Sequence, residues 1–204
     1  MKSMKKSIMS IIMSVIMVLG LTGCQTSKGT SVADDVDKAY PDAVSVLEEG
    51  WNQIPEQFPA SGGSFENAVD NAPGKVDITN TDALTYTFLV PEEVQTDITD
   101  AATIMHMMNA NTFTAVALHL NEMSTEDAAT KIKEGFLANQ FMCVFPDKIK
   151  IVSMGNYVVY AYGKTDNVDN FIKGIENLEH ETVVADEIYQ YKKKYDNVTV
   201  LNSQ

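Results

Sequence analysis

Residues 148–163, KIKIVSMGNYVVYAYG, decide the fold. Two apolar runs flank Gly155-Asn156, and glycine at the first of two central positions suits a type II′ turn. That turn predicts a β-hairpin in which Met154 faces Tyr157, Val152 faces Val159 and Lys150 faces Ala161. Side chains alternate along a strand, so Ile149, Ile151, Val158, Tyr160 and Tyr162 share one face, apolar enough to take a helix. Val152, Met154, Tyr157 and Val159 fall on the other. If exposed, this second face is a candidate contact surface for a partner or ligand; coverage by the N-terminal helix, the long loop or the C-terminal helix is favoured over that.

Upstream, residues 100–120 read as another hairpin, with arms at 102–108 and 112–120 and turn residues Asn109-Ala110-Asn111. Ser124 and the acids after it predict a helix cap, and Ala128, Ile132 and Phe136 trace its apolar face. Pro146 stops that run. Downstream of the central hairpin, Thr165 caps a shorter helix through Val168, Phe171, Ile172 and Ile175. Residues 100–178 therefore read strand-strand-helix twice. The expected fold class is α+β: two layers, a mainly antiparallel four-stranded sheet from a ββα-ββα repeat, and both helices packed on one face.

Helices are expected at both ends. Residues 34–51 carry a three-four apolar spacing interrupted by Pro41, so either the helix kinks there or its firm part starts there. Gly50 is the expected stop. Residues 181–195 place Val184, Ile188, Tyr191 and Tyr195 on one helical stripe, and residues 197–201 suit an edge strand. Residues 52–80, with four prolines or glycine pairs as punctuation, form a long loop that is either functional or mobile. A short helical turn is expected after Phe65, and a helical element is favoured over a strand for residues 81–90.

The first 23 residues read as a secretory signal. Lys2, Lys5 and Lys6 precede an apolar run from Ile8 to Leu21, too short for the roughly 20 residues of a membrane span. The run ends in Leu21-Thr22-Gly23-Cys24, which resembles the lipobox of bacterial lipoproteins. The resemblance implies cleavage before Cys24, a diacylglyceryl (palmitate-type) thioether on its sulfur, and a chain anchored on the outer face of the cell membrane. Residues 24–33 then form a tether, and 34–204 a single extracytoplasmic domain. A second resemblance covers about residues 91–178. Met107-Met108-Asn109, an apolar strand, a long helix and Gly155-Asn156-Tyr157-Val158-Val159 are similar to an uncharacterised family of lipid-anchored domains from clostridial-type Gram-positive bacteria. It implies an extracytoplasmic domain and no functional residues.

Beyond the signal, 12 lysines oppose 28 acids, a net charge near −16, and the chain contains no arginine. Such a surface repels nucleic acid and anionic headgroups and lacks a bidentate phosphate grip. With Cys24 lipidated, Cys143 stands alone in the apolar run 141–145 and is expected to be a buried, inert thiol.

No constellation discloses a chemistry. Ile104-Met105-His106-Met107-Met108 holds soft ligands, but strand alternation sends them to opposite faces. His106 and His119 share a face about four rows apart, or face opposite ways, depending on the turn, and neither register builds a zinc site. His180 is expected in solvent. Ser61-Gly62-Gly63-Ser64 lacks the Gly-Lys-Ser/Thr that completes a phosphate cradle. Residues 166–170 lack the spacing of an EF-hand, and no nucleophile elbow is present. The expectation is a non-enzymatic domain, without cofactor or metal, that contacts a protein at the cell surface. The alternative is a small-solute-binding lipoprotein with a pocket lined by Trp51, Phe58 or Phe65 and roofed by residues 52–80.

Lipidation has a direct test. The chain incorporates an alkyne-palmitate label in a bacterial host and fractionates with membranes, and Cys24→Ser loses both properties. Two acyl chains, at roughly 0.8 kcal/mol per buried methylene, bind a bilayer far more firmly than any exposed apolar side chain.

Overall fold

The computed structural model describes residues 32–176 and 181–188. The signal, Cys24, most of the tether, His180 and residues 197–201 lie outside the described residues. An antiparallel sheet of β1 (Ala60–Gly62), β2 (Val69–Asp70), β3 (Gly74–Lys75), β4 (Ile98–His106), β5 (Phe113–Leu120), β6 (Lys148–Met154), β7 (Tyr157–Gly163) and β8 (Glu181–Ile188) is the middle layer of three; its order is β2-β1-β4-β5-β7-β6-β8, and β3 pairs β4 beside β1. Its centre is two hairpins, β4 (Ile98–His106) with β5 (Phe113–Leu120) and β6 (Lys148–Met154) with β7 (Tyr157–Gly163), joined by β5–β7 pairing.

The central hairpin has the expected register. Met154 pairs with Tyr157, Val152 with Val159 and Lys150 with Ala161. Gly155 takes φ +58° while Asn156 stays out of the left-handed region, as a type II′ turn requires. In the first hairpin Met105 pairs with Thr114, and a 3-10 turn over Ala110–Thr112 starts β5 one residue later than expected. His106 and His119 are then about six rows apart, roughly 20 Å at strand rise.

The four-stranded, one-faced arrangement is corrected in two respects. Glu181–Ile188 is not helical but forms strand β8 along β6, with an extra residue at Val184. Three short strands, β1 (Ala60–Gly62), β2 (Val69–Asp70) and β3 (Gly74–Lys75), extend the other side from within the expected loop. Consequently α4 (Thr125–Ala138) and α5 (Thr165–Glu176) lie on opposite faces. The reason is topological. The β5-α4-β6 and β7-α5-β8 units each join parallel strands across one intervening strand, and both step the same way across the sheet. Because β5 and β7 are antiparallel, crossovers of one hand put their helices on opposite faces.

One face is covered by α1 (Val32–Ala39), α2 (Ala43–Trp51) and α5, packed on Ile104, Ala115, Val152 and Val159. The break at Pro41 separates α1 from α2, whose cap is Asp42, accepting from Ser45 N at 2.9 Å. Asp100 accepts from Ala43 N at 2.9 Å and ties this cap to β4. The helix α5 is drawn to β6 by Lys148–Asp169 at 2.9 Å and Lys150–Glu176 at 2.8 Å. The other face is covered by α4 and by residues 76–95, which include a π-helical turn (Ala83–Thr87) and α3 (Glu92–Gln95). Asp97 holds the approach to α4 by accepting from the amides of Asn121, Glu122 and Met123. These bonds, Met123 first, lower its pKa, so its contribution is present above the ordinary carboxylate range and lost as pH falls. Among the described residues no helix is long and apolar enough to cross a membrane.

Gly50 does not stop α2; it lies inside it, buried where the helix crosses α5. A Cβ there would stand 2.7 Å from the Phe171 ring. Alanine gains about 1 kcal/mol of helix propensity, but overpacking costs about 1–3 kcal/mol. Gly50→Ala is therefore expected to destabilise the domain by up to about 2 kcal/mol in urea unfolding; a stabilised variant would contradict this packing.

Candidate functional site

The candidate contact face is covered. Val152, Met154, Tyr157 and Val159 are 0–2% exposed, because α1, α2 and α5 cover them. Tyr157 also donates its hydroxyl to Tyr40 O at 3.0 Å, and burial together with Asp37, Asp100 and Asp42 holds its pKa well above the phenol range. Asp37 of α1 faces His119 Nε2 at 3.3 Å and accepts from Asn156 Nδ2 at 3.2 Å, so α1 is clasped over the Gly155 turn.

An open site exists at the opposite side, on the α4 face beside β4. It is a cleft of about 330 Å³ between residues 61–68 and the π-helical turn, with Met105 of β4 also lining it. Small-molecule pockets span about 300–1,000 Å³, so this one is at the compact end.

The first wall is fixed by close backbone crossing. A Cβ at Gly62 would lie 2.3 Å from Ala72 O and Gly74 N, so only glycine allows this contact. Gly63 N donates to Thr103 Oγ1 at 3.1 Å, and Ser64 Oγ accepts from Asp77 N at 2.7 Å. The Ser-Gly-Gly-Ser run is thus a stitched corner and makes no phosphate cradle. Phe65 follows in a 3-10 turn and stands on the rim, 96% exposed.

The second wall is the π-helical turn, opened by Asn80 Oδ1 accepting from Ala83 N at 3.0 Å. Two residues past its end stands Leu89, whose φ of +60° is unusual for a bulky residue. Two buried tyrosines of β7 hold the turn to the sheet. Tyr160 donates its hydroxyl to Phe88 O at 2.6 Å and Tyr162 to Thr87 O at 3.5 Å. Burial raises the Tyr160 pKa well above the phenol range and pushes that of Tyr162 up to about 12. A π-turn and a left-handed leucine are irregularities that concentrate at functional sites.

Of the three aromatics expected to line a pocket, the structure brings only Phe65 to this cleft. Trp51 and Phe58 belong to the core on the other face, where their rings meet edge-on at 5.4 Å. Phe58 in turn stacks on His106 at 4.8 Å, and the imidazole Nδ1 accepts from Met108 N at 3.1 Å. Cys143 is exposed, not buried, because its backbone turns left-handed at φ +68° and carries the side chain off the apolar run. Among the described residues no group of three His, Cys, Asp or Glu is arranged to hold a metal ion. The sequence reading missed Met105, Thr87 and Phe88; the one local signal was the polar Asn80-Thr81 start of a helical element.

Tyr160→Phe keeps the ring and removes the hydroxyl. The buried Phe88 carbonyl then loses its donor, at a cost of about 1–3 kcal/mol, and hydrogen exchange at the Phe88 and Val90 amides quickens before the rest of the sheet. Because the folded-state pKa is raised, the tyrosine's contribution is full below pH about 10 and lost as pH rises further, so the variant loses less stability in alkali. Uniform exchange across the sheet would contradict this local role. Compared with known proteins, the chain matches no family model, no curated protein and no solved structure.

Proposed function

We propose that this chain is a non-enzymatic, lipid-anchored extracytoplasmic domain that binds a small, largely apolar or aromatic solute in the Phe65 cleft. The observation that carries this reading is the cleft itself: two walls hydrogen-bonded to the sheet and an aromatic side chain left exposed on the rim. The arrangement also suits an anchored protein. The element nearest the tether, α1, is clasped at the Gly155 end of the sheet. Met105 lies five rows along β4 from Asp100, about 17 Å at strand rise, so the cleft stands away from the anchored end.

A second reading keeps the same surface and changes the occupant. Phe65 at 96% and Tyr86 at 80% exposure are aromatic anchors of the kind that dominate protein interfaces. In that case the cleft receives an apolar side chain of a partner protein at the cell surface.

A thermal-shift screen of residues 25–204 against sugars, amino acids, peptides, nucleotides and aromatic acids tests the first reading. A compound at 100 times its Kd stabilises the fold by about 2.7 kcal/mol, on the order of 5–10 °C. Phe65→Ala is expected to leave the unliganded melting temperature unchanged and to abolish the shift. A shift that survives in Phe65→Ala, or silence across all classes, would remove the cleft as a solute site.

A further inference from the structure

Thr99, His119 and Asp37 form a hydrogen-bonded chain at the Gly155 end of the sheet, away from the Phe65 cleft. In β4, Ile98 pairs with Leu120 and Asp100 with His119, so Thr99 is an extra residue between them. Such a bulge re-aims the side chain it carries. The exposed Thr99 hydroxyl meets His119 Nδ1 at 2.6 Å. On the other side of the ring, His119 Nε2 faces Asp37 Oδ1 at 3.3 Å, and Asp37 Oδ2 accepts from Asn156 Nδ2 at 3.2 Å.

One placement of hydrogens satisfies this chain from end to end. A carboxylate only accepts, so the proton of the neutral ring sits on Nε2, and Nδ1 is left to accept from the Thr99 O–H. The same hydroxyl lies 3.2 Å from His119 O, a longer and weaker contact. The ring also stands edge-on to Tyr157, with centroids 4.6 Å apart. Asp100, opposite His119 on the ladder, is engaged elsewhere: it accepts from Ala43 N at 2.9 Å and faces Lys75 at 3.4 Å. A hydroxyl bonded to an imidazole that a carboxylate orients is the arrangement that activates a nucleophile.

We propose that Thr99 is a modification site, a nucleophilic hydroxyl that takes an acyl group from an activated ester. Thr99 Oγ1 bonds to the acyl carbon while its proton passes to His119 Nδ1. The carbon–oxygen bond to the leaving alcohol breaks, and the alcohol departs with the proton from His119. Asp37 stays ionised and faces the transient imidazolium; it and Asn156 are positioning residues. The amides that follow His119 build no oxyanion hole. Leu120 N donates to Asn156 O at 3.0 Å, and Asn121, Glu122 and Met123 donate to Asp97. Without that stabilisation the unactivated ester left on Thr99 is not hydrolysed fast, so the product is one acyl group per chain and not turnover.

The test mixes the full-length chain, in non-ionic detergent, with p-nitrophenyl butyrate and follows p-nitrophenolate release. The expected result is a burst of about one equivalent, with the butyryl group mapped to Thr99 by tandem mass spectrometry. His119→Gln keeps a hydrogen-bonding side chain beside Asp37 and is expected to slow the burst at least about a hundredfold. Asp37→Asn turns the ring to its other tautomer and is expected to slow it at least about tenfold. Thr99→Val is expected to show no burst and Thr99→Ser to retain one. A melting curve for each variant separates loss of reactivity from loss of fold. Butyrylation confined to lysines, or an unchanged burst in folded His119→Gln, would overturn the proposal and leave these bonds as a clasp for α1 alone.

Discussion

The structure depends on the antiparallel pairing of β5 with β7. Apart from half-exposed His119, every residue of both strands is buried, so the pair has no solvent face. Buried backbone groups must be paired, and here each strand is laddered on both sides. A sheet centre that is apolar on two faces requires two covering layers. The crossovers supply them. Strands of opposite direction, each followed by a helix that steps the same way, place α4 above the sheet and α5 below it. The two core clusters follow from strand alternation, with Ala115, Ala117 and Val159 on one side and Val116, Leu118 and Tyr160 on the other.

That constraint also determines where a ligand site is available. A centre closed on both faces leaves only the margins of the sheet. Beside β4 the sheet is completed by three short strands instead of one long one, and the corner between them is made by glycines that let the chain cross itself. The facing wall is irregular, a π-turn followed by left-handed Leu89. Such backbone costs about 1–3 kcal/mol and persists only where its surroundings enforce it. Here the enforcement comes from the same sheet, through the hydroxyls of Tyr160 and Tyr162, and through Leu84 and Phe88 buried beneath the turn. Tyr162, Thr114 and Met105 share one cross-strand row, so core and cleft are contiguous. The turn separates two cavities, one rimmed by Phe65 and one by Tyr86 and carboxylates.

The sequence was legible where local chemistry had one solution. Gly155-Asn156 between apolar runs specifies a turn, and the turn specifies every pair of the central hairpin. Ser124, followed by Ala128, Ile132 and Phe136, specifies α4. It was illegible where two periods coincide. Val184 and Ile188 are four residues apart, and residues at that spacing share a face in a helix and in an unbulged strand alike. What selects the strand is the open edge of β6, a tertiary fact. Missing β8 removed the second crossover, and with it the reason for helices on opposite faces. The candidate site was half legible. Phe65 stood out in the long loop, but Met105 and Phe88 come from elements distant in the chain, Met105 brought beside it by β1–β4 pairing and Phe88 by the Tyr160 hydroxyl.

The most direct test of the cleft is a ¹³C-methyl methionine spectrum of the protein titrated with a fragment mixture of small aromatic and aliphatic compounds. Met105 lines the cleft, Met154 is buried in the opposite core, and Met107, Met108 and Met142 are exposed elsewhere. The Met105 methyl is expected to shift saturably while Met154 and the exposed methyls stay in place. An unmoved Met105 alongside shifting exposed methyls would contradict this and move the binding surface to the far turn of the first hairpin.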